Sequence, residues 1–237
     1  MAGVTPEAKP LVLLPGTLCD ARLWLPVLRA LGVPGEVSSL DGADDVRDLA
    51  ALLLRALPPR FSLVGFSLGG IVALEMADQA PHRIARLALV ASNARPDTPD
   101  GTAARHRLLA VAERDGLRTV VTRDLWPGYV AAARQDDAAL RKLVADMADA
   151  LGIGILRRQI GIAVGRADSR PRLANLRMPV LVVGGQEDRL CPPDRHAEIV
   201  ESIPGARLVL LEGVGHFVPL EAPSDLASAL LTWLRST

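Results

Sequence analysis

Aromatic residues are scarce in this chain of 237 residues, which has three Trp, one Tyr and three Phe. An excess of one charge is missing as well: 27 Lys and Arg offset 27 Asp and Glu. That balance excludes the basic face nucleic acid requires and the polybasic tether of a membrane-surface protein. Only two cysteines are present, Cys19 and Cys191, which excludes a disulfide framework. Neither lies in a C-x-x-C pair or near a histidine at metal-ligand spacing, so both are expected as free thiols, with no metal and no other cofactor. No apolar run approaches the roughly 20 residues of a membrane span. Met1 to Pro10 lack the charge and apolar length of a secretion signal. The expectation is a soluble cytoplasmic protein acting on a small molecule, and oligomeric state leaves no signal in the sequence.

What is present is order. Hydrophobic residues make up 49% of the chain, punctuated by Gly and Pro. Strand-length apolar runs alternate with helix-length amphipathic runs, the pattern of a mostly parallel α/β sheet with helices on both faces. Strands are expected near 11–14, 36–39, 61–65, 84–91, 179–184 and 207–211, and helices near 22–31, 46–57, 68–80, 193–202 and 224–235. Between Pro96 and Pro179 the alternation stops, and helical patterning alone fills the gap. The sequence therefore predicts a core of residues 1–96 and 177–237 with a helical cap inserted at 97–176. Its entry, Asn93 to Gly101, is rich in Pro, Asp and Gly, and its exit, Ser169 to Pro179, carries Pro171 and Pro179, as hinges would. Within it, Leu140, Leu143, Val144, Met147 and Leu151 make one apolar stripe.

Gly65-Phe66-Ser67-Leu68-Gly69-Gly70 places a serine between a predicted strand and a predicted helix. A Gly-x-Ser-x-Gly turn there is sharp, and glycines two residues either side remove the side chains that would crowd it. A serine hydroxyl needs a base to become a nucleophile, and the base needs a third group to orient it. Of four histidines, His82 connects a helix back to a strand at the amino edge of the sheet, the wrong side. His196 falls in a helix and is expected to be solvated, and His106 falls in the cap. His216 remains. It follows the apolar strand Leu208-Val209-Leu210-Leu211 and two glycines, at the same carboxyl edge as Ser67.

The orienting acid is expected in the loop after Val180-Leu181-Val182-Val183. Asp188 is the choice, Glu187 the runner-up with its side chain opposed, and Asp194 is assigned to the start of the next helix. Acyl transfer also builds an oxyanion, which two backbone N–H groups should meet. Leu68 at the helix start supplies one. The loop Leu14-Pro15-Gly16-Thr17-Leu18 supplies the other, from Thr17 or alternatively Leu18. Trp126 and Tyr129 either line the pocket or pack the cap's own core.

Ser67, Asp188 and His216, in that order and each behind a strand, resemble the α/β-hydrolase superfamily over nearly the whole chain. The Gly-Gly-Gln-Glu-Asp and Gly-Val-Gly-His-Phe loops strengthen the likeness, which is greatest to small capped bacterial carboxylesterases and related lactone or acyl-carrier ester hydrolases. Two departures stand out: Pro15-Gly16 where the family usually has His-Gly, and a chain that begins so near its first strong strand that about six strands remain. The resemblance implies hydrolysis of a small-molecule ester, thioester or lactone through an acyl-enzyme. The same superfamily also contains C–C bond hydrolases, perhydrolases and receptors that keep the triad.

Overall fold

A computed structural model describes residues 9–236. The expectation that no secretion signal opens the chain falls largely on residues 1–8, outside the described residues. Among the described residues six strands form one parallel sheet: β1 (Leu11–Leu14), β2 (Glu36–Val37), β3 (Phe61–Phe66), β4 (Ile84–Val90), β5 (Val180–Gly185) and β6 (Arg207–Leu211), in the order β2-β1-β3-β4-β5-β6. The helices are α1 (Leu25–Leu31), α2 (Val46–Ala56), α3 (Leu68–Gln79), α4 (Pro99–Asp115), α5 (Leu117–Thr119), α6 (Trp126–Tyr129), α7 (Ala138–Gly165), α8 (Arg170–Leu173), α9 (Pro193–Glu201), α10 (Val218–Glu221) and α11 (Pro223–Arg235). None of the described helices is long and apolar enough to cross a membrane.

Side chains alternate across the pleat, so each strand feeds two cores. Leu11, Leu13, Val64, Phe66, Ala88, Val90, Leu181 and Val183 join one apolar cluster, together with Val27 of α1 and Leu226, Leu230 and Trp233 of α11. Val12, Leu14, Phe61, Leu63, Leu87, Leu89, Val180 and Val182 join the other, with the apolar faces of α2 and α3 and Ile199 of α9. Covering both faces explains why β1, β3 and β5 are buried at every position. The expected strands and helices outside the insertion are present, with small differences at their ends, and the short α10 is an addition the periodicity did not place. The helix expected at 22–31 is split. Asp20 caps a short 3-10 turn at Ala21–Leu23, and α1 starts afresh at Leu25, with Pro26 in the first turn, where its missing N–H costs nothing.

Residues 91–179, between β4 and β5, carry α4 to α8 and no strand. Their two ends are bonded to each other: Ser169 N donates to Ala94 O at 2.9 Å and Arg166 Nε to Arg95 O at 2.9 Å. α7 breaks at Gly152, whose φ of 78° and ψ of 171° lie outside helical geometry.

One expectation is overturned. His196 is not solvated; it is fully buried, because it shares the sheet-facing side of α9 with Ile199. Its ring fills the space above Gly184, where a Cβ would lie 2.5 Å from Cε1, and among the described residues neither ring nitrogen has a hydrogen-bond partner. Burial pushes the imidazole down from 6.5 to about 4. Between those values the unfolded chain takes up a proton that the folded chain refuses, so stability is full above the unfolded value and falls as pH drops toward 4, by about 3 kcal/mol in all. Urea unfolding at pH 7 and pH 4.5 measures this directly. The stability lost between the two should be about 2 kcal/mol smaller in His196→Leu than in the unchanged protein, and equal losses would place the acid sensitivity elsewhere.

Candidate active site

The strand order sets the position of the crevice. From β1 the chain crosses to β2 on one side and then returns past it, so that β3 pairs with the other side of β1. The loops leaving β1 and β3 therefore diverge, and a gap opens at their carboxyl ends. Ser67 lies at that gap, with φ 51° and ψ −113°. Its N–H donates to Val90 O at 2.9 Å, and its carbonyl accepts from Ser92 Oγ at 2.9 Å and Gly70 N at 3.0 Å. The flanking glycines are needed for space. A Cβ on Gly65 would sit 2.4 Å from Gly69 O, and one on Gly69 would sit 2.5 Å from Pro15 O.

Two further strand ends bring their side chains to Ser67. His216 Nε2 lies 2.9 Å from Ser67 Oγ and Nδ1 lies 2.8 Å from Asp188 Oδ2. The carboxylate only accepts, so Nδ1 carries the proton and Nε2 offers a lone pair to the serine hydroxyl. Asp188 and His216 are both buried. The second oxygen of Asp188 accepts from Leu190 N at 2.8 Å and Cys191 N at 2.9 Å, which fixes the carboxylate plane. Glu187 points away, as its place one residue earlier requires, and accepts from Ala132 N at 2.8 Å. His82 and His106 are exposed.

As the first residue of α3, Leu68 has an N–H with no acceptor inside the helix. Leu18 N is committed, donating to Gln159 Oε1 of α7 at 2.8 Å, which leaves Thr17 of the two alternatives in the β1 loop. Thr17 and Leu68 both line a cavity of about 410 Å³ that also holds Ser67 and His216. Tyr129 lines it too, with its ring 5.8 Å from the imidazole. Trp126 does not line it; this side chain is buried and donates from Nε1 to Gln135 O at 2.9 Å. Asp188, Cys191 and His216 lie near enough to share an ion. Asp188 and His216 are instead spent on each other, and burial pushes the Cys191 thiol up to about 12, so it offers no thiolate.

The insertion grips the histidine loop through contacts that no sequence signal marked. Tyr129 O accepts from His216 N at 2.9 Å, and Gly215 packs so closely on Val130 and Ala131 that a Cβ would meet Ala131 N at 2.5 Å. Glu221, an acid inside the apolar run Val218-Pro219-Leu220, is buried and accepts from Ala131 N at 2.8 Å and Gly215 N at 3.1 Å. Burial pushes its carboxyl up from the ordinary value, against the pull of those N–H groups.

The sequence model of the alpha/beta hydrolase family matches residues 11–229. The chain is 28% identical to RutD of Rhizobium rhizogenes, whose name proposes a carbamate hydrolase activity, over 98% of this chain and 94% of that one. It is 29% identical to a pimeloyl-[acyl-carrier protein] methyl ester esterase of Nitrosomonas europaea, over 92% of each. The structure resembles that of a thermophilic esterase from Thermogutta terrifontis with a TM-score of 0.83 at 25% identity, covering 96% of this chain and 89% of that one.

Replacing Glu221 isolates its part in this arrangement. Glu221→Ala strands two buried N–H groups and should lower stability to urea by about 2 kcal/mol or more, whereas Glu221→Gln, which keeps an acceptor oxygen, should lose less than half as much.

Proposed function

Because the chain belongs to the alpha/beta hydrolase family, we propose that it is a serine hydrolase that cleaves a small-molecule carboxylic ester, or a thioester or lactone, through an acyl-enzyme. The observation that carries this reading is the imidazole of His216, hydrogen-bonded at once to Ser67 Oγ and to the buried Asp188 at the floor of a cavity. The names of the relatives, an esterase of an acyl-carrier methyl ester and a proposed carbamate hydrolase, support hydrolysis at an acyl carbon.

In this mechanism Ser67 Oγ attacks the ester carbonyl while His216 Nε2 takes the hydroxyl proton, and Asp188 stabilises the imidazolium that forms. The carbonyl oxygen becomes an oxyanion facing the N–H groups of Leu68 and Thr17. Collapse breaks the bond to the alcohol, which leaves with the proton from Nε2. A water then repeats the sequence: His216 takes its proton, the hydroxide attacks the acyl carbon, and Ser67 leaves reprotonated as the acid is freed. Residues 97–176 act as a cap over a core of 1–96 and 177–237, and the residues that touch substrate come from both.

Release of nitrophenol from short acyl esters tests the reading. Ser67→Ala should lower kcat by roughly 10⁵-fold or more. Asp188→Asn, which frees the imidazole to take the wrong tautomer, should lower it by roughly 10⁴-fold. A fluorophosphonate should label Ser67 in the unchanged protein, and full nitrophenol release by Ser67→Ala would sink the assignment.

A further inference from the structure

The cavity carries charge for which ester hydrolysis has no use. Arg105 of α4 and Arg166, just past α7, line the same cavity as Ser67 and His216. Both hold one carboxylate, Asp97, whose Oδ2 accepts from Arg105 Nε at 3.2 Å and whose Oδ1 lies 3.0 Å from Arg166 Nη2. Thr102 Oγ1 donates to the same Oδ2 at 3.0 Å, so Asp97 is held by three donors. Burial would raise its carboxyl, yet the two guanidinium groups hold it below the ordinary value. Two cations share one anion, which among the described residues leaves one positive charge uncompensated.

That charge resides on Arg105. Arg166 is turned into the protein, with Nε donating to Arg95 O at 2.9 Å and Nη1 to Ala163 O at 2.6 Å. Arg105 uses only Nε; among the described residues its two terminal amino groups have no partner, and its side chain is 36% exposed. The remaining acid on the cavity wall, Asp124, is already bonded to Arg123 at 2.7 Å and 2.9 Å. The field of Arg105 reaches across the cavity. Burial pushes both the Cys191 thiol and the Tyr129 phenol up, and in each case Arg105 acts in the opposite direction. Both of those residues line the cavity.

We propose that the substrate carries a carboxylate in addition to its ester, and that the terminal amino groups of Arg105 receive that carboxylate while Ser67 opens the ester. A planar guanidinium with free terminal nitrogens matches a carboxylate edge. One uncompensated positive charge matches a monoanion, whereas a phosphate dianion would leave a net negative charge in a mostly apolar chamber. Arg105 is on this account a specificity determinant. The proposal rests on the serine hydrolase reading.

Two matched ester pairs test it and separate the two places the carboxylate can occupy. For the acyl side, the 4-nitrophenyl monoester of glutaric acid is compared with 4-nitrophenyl hexanoate. For the alcohol side, 4-carboxyphenyl acetate is compared with phenyl acetate. In one pair, the ratio of kcat/KM for charged over neutral ester should fall about 10- to 100-fold in Arg105→Gln, mainly through KM, with Arg105→Lys intermediate. A ratio unmoved in both pairs, or equal losses on charged and neutral esters, overturns the proposal. A separate readout guards against failure of the ester chemistry itself. Glutaramate, the monoamide of glutaric acid and a monoanion at neutral pH, should raise the Tm of Ser67→Ala but not of the double variant Ser67→Ala, Arg105→Gln. If neither pair is turned over in a Ser67-dependent way and glutaramate still stabilises only through Arg105, the serine reading falls and the anion site stands; if glutaramate stabilises neither variant, the anion site falls.

Discussion

A residue with a side chain held at φ 51° and ψ −113° occupies backbone space that few residues other than glycine visit, at a cost of order 1–3 kcal/mol. Ser67 remains there because its surroundings leave it nowhere else to go. Its amide is bonded to β4, its carbonyl is bonded to Ser92 and to the first turn of α3, and β3 and α3 touch through Gly65 and Gly69 with no room for a Cβ. The same contact brings α3 against the loop after β1, since Gly69 also abuts the carbonyls of Leu14 and Pro15. One tight turn thus fixes the serine, the N–H of Leu68 and the distance to Thr17 together. The proposed nucleophile and the proposed oxyanion donors are consequences of a single backbone constraint.

The other half of the site depends on the insertion. The loop that carries His216 is bonded through its backbone to Tyr129, and it is held against Ala131 by Glu221 and by the bare face of Gly215. The loop that carries Asp188 reaches the same segment when Glu187 accepts from Ala132. Gln159 of α7 takes the N–H of Leu18. The segment between β4 and β5 is therefore bonded to the loops that carry His216, Asp188 and Leu18. Between these fixed points lies a chamber lined by Ser67, the proposed nucleophile, by His216 and by the guanidinium of Arg105.

The sequence by itself determined the parallel sheet, the helices on both of its faces, the helical stretch without a strand between β4 and β5 and the three strand-end residues that meet at the crevice. Apolar alternation, strand length and glycine placement are local properties, and chain order along a parallel sheet dictates which loops share an edge. Tertiary structure alone decided what depends on neighbours distant in sequence. His196 looked solvated in its helix, but only the packed sheet shows that Gly184 leaves a hollow for its ring. The sequence favours Thr17 over Leu18 as the donor in the β1 loop, but that the N–H of Leu18 is taken by Gln159, 141 residues away, is visible only in the fold. Glu221 and Arg105 resemble any surface charge in the sequence. Their meaning comes from burial and from a pairing count across the fold, because an electrostatic role is set by which opposite charges and donors lie within a few ångströms, and a one-dimensional pattern does not encode that distance.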